Sequence, residues 1–207
     1  MPRHSKRRTD MRARIAAAAA RLMAEDGIDD FALAKRKAAR QLGAPETQSL
    51  PRNDEIEAEL RAYRALYQAD QHPRLLGELR RTALDAMQAL KRFNPYLTGP
   101  VLKGIAGPYS EIELQLFPDS TKEVEIFLMD RNILFTTHEG RRYSGAHAHA
   151  ASFISLQWQG IPLRLAVFDA RDERLTLKTS QAGRPIERAG IPEVSAILHI
   201  DKDVKGR

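Results

Sequence analysis

The 207-residue chain contains no cysteine. That excludes disulfide scaffolds, thiolate zinc sites and cysteine nucleophiles. Long apolar runs are missing too. The most hydrophobic stretch, Ile15 to Ala20, is closed off by Arg14 and Arg21, far short of the roughly 20 residues that span a bilayer. It also lacks the apolar core and small-residue cleavage site of a secretory signal, so the expectation is a cytoplasmic protein with no membrane partner. Tryptophan occurs once, as Trp158. It lies beside an expected turn and reads as a packing residue rather than a base-stacking platform.

Positive charge is what the sequence does have, and it is unevenly placed. The net charge is +6. Through Gly43 there are eleven basic residues against five acidic ones, and the remainder of the chain is balanced. Any polyanion partner is therefore expected to meet the N-terminal fifth. Residues 1–10 read as a basic arm, with Arg7 and Arg8 in it. Arg7, Arg14 and Arg21 fall at heptad spacing, on one side of a first helix if it reaches that far.

From Met11 to Phe93 the period is helical. An Ala-rich helix runs to Asp26 and is stopped by Gly27. A second, near Phe31 to Leu42, has Ala34 and Ala38 on one face and Arg36, Lys37 and Arg40 on the other. Asn53 is placed to cap a third helix, with Ile56, Leu60, Tyr63 and Tyr67 as its buried stripe. Pro73 opens a fourth, whose inward residues are Leu76, Leu79, Ala83, Met87 and Leu90. Beyond Asn94-Pro95 the period shortens. Strands are expected over Tyr96 to Lys103, Ser110 to Phe117, Ile133 to Thr137, Ser152 to Gln157 and Ile161 to Phe168, the last two joined across Trp158-Gln159-Gly160. Ser120 and Glu123 form a capping box for a short helix to Met129, although Val124 to Leu128 also suits a strand. Glu139 to Ala151 reads as a loop, Asp169 to Lys178 as an edge strand and 201–207 as a charged tail. The expected class is α+β: a helical module over 11–93, then a mixed or antiparallel sheet with one short helix over 94–200.

Two resemblances rest on these residues. Residues 12–43 (RARIAAAAARLMAEDGIDDFALAKRKAARQLG) resemble the first two helices of a TetR-type repressor head. The segment that follows, APETQSLPRN, carries two prolines where such a head would supply a recognition helix. Residues 84–168 resemble the nucleotidyltransferase superfamily in its minimal form. There Gly104 to Gln115 (GIAGPYSEIELQ) stands for the glycine turn and the acid-bearing strand. The resemblance implies Glu111 and Glu113 as catalytic carboxylates and Gly104, Ser110 and Arg164 around the nucleotide, with Mg²⁺ on alternate carboxylates of one strand. Gly104-Ile105 replaces the family's Gly-Ser, and Arg164 stands where its third carboxylate belongs. The implied domain is therefore degenerate. The whole chain also resembles a group of short proteobacterial proteins, some bearing the name UDP-N-acetylmuramate–alanine ligase. It has no Gly-Lys-Ser/Thr phosphate loop, Lys103-Gly104 being in the reverse order.

These residues give a primary expectation of a non-catalytic binding protein. Arg7, Arg8, Arg14, Arg36, Lys37 and Arg40 would contact an RNA or DNA backbone, with no cofactor and no metal site. Two alternatives are an Mg²⁺-dependent nucleotidyltransferase using Glu111 and Glu113, and a structural module whose basic arm orders on an acidic protein. His147 and His149 have the two-residue spacing of strand-borne metal ligands, but no third ligand stands near them.

Overall fold

The computed structural model describes residues 3–45, 47, 49–181 and 183–205, with side chains over 10–200 of these. The chain has the expected α+β architecture, with N-terminal helices and a five-stranded mixed sheet. It parts into two compact units. The first is 1–75 with 107–109, and the second is 76–106 with 110–207. The helix that starts at His72 thus lies mostly in the sheet unit, whereas composition alone put the change of texture after Phe93.

In the first unit, α1 (Arg3–Glu25), α2 (Phe31–Gln41) and α3 (Asn53–Tyr67) pack through small residues. Ala16, Ala19 and Ala20 of α1 and Ala34, Ala38 and Ala39 of α2 are buried, together with Ile15, Ile56 and Leu60. Each large side chain buried here contributes on the order of 1.5–3 kcal/mol, and the alanines let the helix axes close up around them. α1 takes in residues 3–10, read above as an arm. Asp30 caps α2, its Oδ1 accepting from the Ala32 and Leu33 amides at 2.7 and 3.1 Å. The cap of α3 is Arg52 rather than Asn53. Glu55 reaches back to accept from the Arg52 amide at 2.6 Å, while Asn53 Oδ1 accepts from Lys35. Tyr67 is exposed, not part of the buried stripe. The described residues of 42–52 hold no helix.

The second unit opens with α4 (His72–Ala89), followed by a 3-10 turn and β1 (Tyr96–Thr98). α5 (Gly99–Lys103) comes next, then β2 (Ile112–Leu116), α6 (Thr121–Asp130), β3 (Phe135–Ser144), β4 (His147–Trp158) and β5 (Ile161–Val167). A 3-10 turn at Ala170–Arg174 and α7 (Ile191–Lys205) complete it. The sheet order is β1-β2-β5-β4-β3; β2 and β5 run parallel and every other pair antiparallel. Because paired residues share a face and successive residues alternate, the register sorts the sheet into two faces. Leu97, Ile112, Leu114, Leu163, Leu165, Ile154 and Leu156 form the apolar, buried face. Thr98, Glu113, Arg164, Ser155, Phe153, His138 and Arg142 lie on the other. One end of that second face is covered, since Phe117, Phe153, Phe168 and Leu177 cluster there with Tyr96, Ala166 and Ile186.

Several elements differ from expectation. The strand expected over Tyr96 to Lys103 lasts three residues, because Gly99 takes a left-handed φ of 68° and Pro100 follows in the first turn of α5. The loop expected over Glu139 to Ala151 is the far part of the β3–β4 hairpin, paired from Phe135↔Leu156 to Ser144↔His147. Instead of an edge strand, 169–178 forms the 3-10 turn and, at Lys178, antiparallel bridges to Tyr143 and Pro185. The tail has helical backbone through Lys205 as the end of α7, an element with no counterpart in the sequence reading. Val124 to Leu128 resolves as helix; Ser120 is its N-cap but makes no side-chain cap bond.

Candidate functional site

β2 buries Ile112 and Leu114 and thereby turns Glu113 to the polar face, with Glu111 two residues before it. Parallel pairing sets Arg164 of β5 opposite Glu113, and antiparallel pairing sets Thr98 on its other side. The Arg164 guanidinium joins both acids: Nη2 donates to Glu113 Oε1 at 2.7 Å, and Nη1 lies 3.5 Å from Glu111 Oε2. The three side chains retain 30–44% of their exposure. Solvent screening therefore limits such a pair to about 1 kcal/mol or less; its importance is that it occupies the ground between the two carboxylates.

The glycine that abuts these acids is Gly99. A Cβ there would fall 2.7 Å from Glu113 Cδ. Gly104, the expected turn glycine, instead caps the C-terminus of α5 with Arg80 and Leu76 as its nearest neighbours, and Arg80 Nε donates to the Val101 carbonyl at 3.3 Å. Ser110 is buried just ahead of Glu111. Glu111, Glu113 and Arg164 are thus brought together, and Gly104 is not among them.

This donor set does not fit the Mg²⁺ that the resemblance implies. Two carboxylates would have to give up a guanidinium to admit a dication, and that guanidinium's own charge opposes the ion. Among the described residues no group of three or more His, Asp or Glu is arranged to hold a metal. His147 and His149 lie on β4 rather than in a loop. His149 Nδ1 is 2.9 Å from Asp172 Oδ1, and His147 is exposed near the hairpin end.

Three residues of the polar face were hidden in the sequence. His138 and Arg142 sit either side of Gly140 on β3, and Phe153 of β4 leans over that glycine, so close that a Cβ on it would meet the ring at 2.6 Å. His138 stacks on Phe153 with ring centroids 5.1 Å apart and planes 15° apart. The Arg142 guanidinium stands over the same ring at 4.4 Å. Burial lowers the Arg142 pKa from its ordinary value, and the nearby charge of Arg164 lowers it further while Glu113 opposes the shift. β3 is an edge strand with no buried residue and little apolar alternation, which leaves no periodic signal there.

In the first unit, Arg36, Lys37 and Arg40 share the exposed side of α2, opposite Ala34 and Ala38. Arg14 is exposed on α1. Lys37 Nζ is held by Asp26 Oδ2 at 2.7 Å. The side chains of Arg7 and Arg8 lie outside the described residues. Trp158 Nε1 donates to Asp85 Oδ2 at 2.9 Å, tying β4 to α4. Compared with protein-family models, curated proteins and solved structures, the chain matches none.

Proposed function

We propose that the chain binds nucleic acid through phosphate contacts from the basic surface of its first unit, with the sheet unit serving as scaffold rather than catalyst. The observation that carries this reading is the state of Arg14, Arg36 and Arg40. All three are exposed, and none has a hydrogen-bond or ion-pair partner among the described residues. An exposed guanidinium without an acid partner is free to exchange a counterion for a phosphate. Lys37 must first release Asp26 and so contributes less. With no helix over the described residues of 42–52 to enter a groove, the contacts are with backbone, and sequence preference is weak. The Arg164 bridge supports the scaffold half of the reading.

Fluorescence anisotropy with RNA and DNA oligonucleotides over a salt series tests it. Three phosphate contacts on a duplex predict a slope of log K against log salt near roughly −2.7. Arg36→Glu, Lys37→Glu and Arg40→Glu together are expected to abolish binding at low salt. Unchanged retention by the triple variant would sink the proposal. A partner that copurifies after nuclease digestion would point instead to an acidic protein. Nucleotide incorporation from an NTP that disappears in Glu113→Gln would overturn the scaffold assignment.

A further inference from the structure

α3 ends on an aromatic pair that the core does not use. Tyr63 and Tyr67 lie one helical turn apart, their ring centroids separated by 4.6 Å and their planes inclined at 37°. Tyr67 keeps 67% of its exposure. The pair is held from α1: the Tyr63 hydroxyl donates to Glu25 Oε1, and Glu25 Oε2 accepts from Arg21 Nε at 2.9 Å. Both carboxylate oxygens are engaged, so the charge of Glu25 is answered where it stands. The two Nη atoms of Arg21 have no hydrogen-bond partner among the described residues and remain able to donate to a phosphate while Nε stays on Glu25.

α1 joins this pair to the basic surface. Arg14, Ala17 and Arg21 follow one another along one exposed stripe at spacings of three and four residues, which sets the two arginines about 10.5 Å apart along the axis. A stripe of cations that runs into a fixed pair of rings suits a strand whose bases are unpaired, with phosphates along the stripe and a base on the ring face. A duplex keeps its bases stacked on one another and gains nothing from Tyr67.

We infer that the nucleic acid is single-stranded, with Tyr67, backed by Tyr63, as the stacking platform for an unpaired base and Arg14 and Arg21 as the phosphate contacts that lead to it. The inference rests on the phosphate-contact reading above and adds the state of the bases. Its sign differs from that of charge alone. Duplex is the denser polyanion and releases more counterion per contact, so phosphate contacts without stacking favour duplex, whereas stacking reverses the order.

Fluorescence anisotropy of the full chain tests this with four end-labelled probes of one length: oligothymidylate, oligouridylate, a thymidylate–adenylate duplex, and an abasic strand that has the phosphates without the bases. The two strands with bases are expected to bind more tightly than the duplex and the abasic strand. Tyr67→Ala should weaken oligothymidylate binding roughly tenfold and leave the duplex and the abasic strand unchanged. Tyr67→Phe should retain binding; Tyr67→Leu, apolar but without a π face, should not. Stacking releases no counterion, so Tyr67→Ala should leave the salt slope as it is, while Arg14→Gln, which removes a phosphate contact, should make it shallower. If Tyr67→Ala loses helix by far-UV circular dichroism, the contrast between Phe and Leu decides alone. The tighter of the two strands with bases identifies DNA or RNA, and either supports the inference. A duplex bound as tightly as oligothymidylate, or oligothymidylate bound equally by the Tyr67 variants, would overturn it. In that case the duplex and the abasic strand still bind and lose affinity in the triple α2 variant; if the phosphate-contact reading itself fails, none of the four probes binds and the inference falls with it.

Discussion

Replacing Gly99 by alanine probes the turn that holds the two carboxylates. At φ 68° an L-residue is strained by about 1–2 kcal/mol. The added methyl also meets Glu113 Cδ at 2.7 Å. Glu113 is partly exposed and can swing away, but only by releasing Arg164, a loss of up to about 1 kcal/mol for a pair this exposed. The expected total is about 1–3 kcal/mol. Urea denaturation can be followed by the single Trp158, which lies in the sheet unit. Gly99→Ala with Glu113→Ala removes the contact and leaves only the backbone strain, so the pair should show a coupling of about 1 kcal/mol. Gly104→Ala is the control. It has the same left-handed φ, but its nearest neighbouring atom is at 3.5 Å, so only the backbone strain of about 1–2 kcal/mol applies. If Gly99→Ala costs less than about 0.5 kcal/mol, or costs no more than Gly104→Ala, the close approach of Gly99 to Glu113 is wrong.

Gly140→Ala should destabilise the sheet unit by about 1–3 kcal/mol through overpacking against Phe153. Near-UV circular dichroism and urea melts would detect it, and Phe153→Leu should relieve part of the loss. Asp30→Ala removes the oxygen that caps α2 and should cost about 1 kcal/mol, seen as lower helicity on heating. Glu55 is hydrogen-bonded by Arg12, which holds its pKa down at about 2. A carboxyl depressed in the folded state stabilises above its unfolded pKa near 4.3, and that contribution is lost as pH falls toward 2. Acid titration of far-UV circular dichroism should therefore show a loss of helix between these values that is smaller in Glu55→Gln; an unchanged titration would rule out the Arg12–Glu55 contribution.

The helices and the acid-bearing strand were legible because their signals are local. Ala34 and Ala38 repeat at helical spacing, and Ile112 and Leu114 alternate with Glu111 and Glu113, so period alone assigns face and burial. What escaped is set by tertiary context. Phe135 to Ser144 became a strand because β4 supplies ten paired positions, though none of its own residues is buried and most are polar. Gly99 ended β1 early where the sequence offered Leu97, Val101 and Leu102 as a longer strand. Tyr67 has the spacing of a core residue yet sits at the last turn of α3, beyond the packed region. The same limit applies to the site. That Arg164 would stand near two acids follows from the strand order, but the meeting of Arg142, Phe153 and His138 depends on a cross-strand register that no single segment encodes.

The first unit carries most of the chain's excess positive charge, and salt tests whether its exposed arginines meet phosphates. A surface that neutralises several phosphates releases a counterion for each, so its affinity falls steeply as salt rises. Those counterions are condensed on the nucleic acid, and a mononucleotide carries no such atmosphere. AMP binding should then change with a log–log slope of about −1 or shallower, against roughly −2.7 for a duplex spanning the three exposed arginines. If AMP and the duplex follow one slope, counterion release does not drive the binding and the phosphate-contact reading fails.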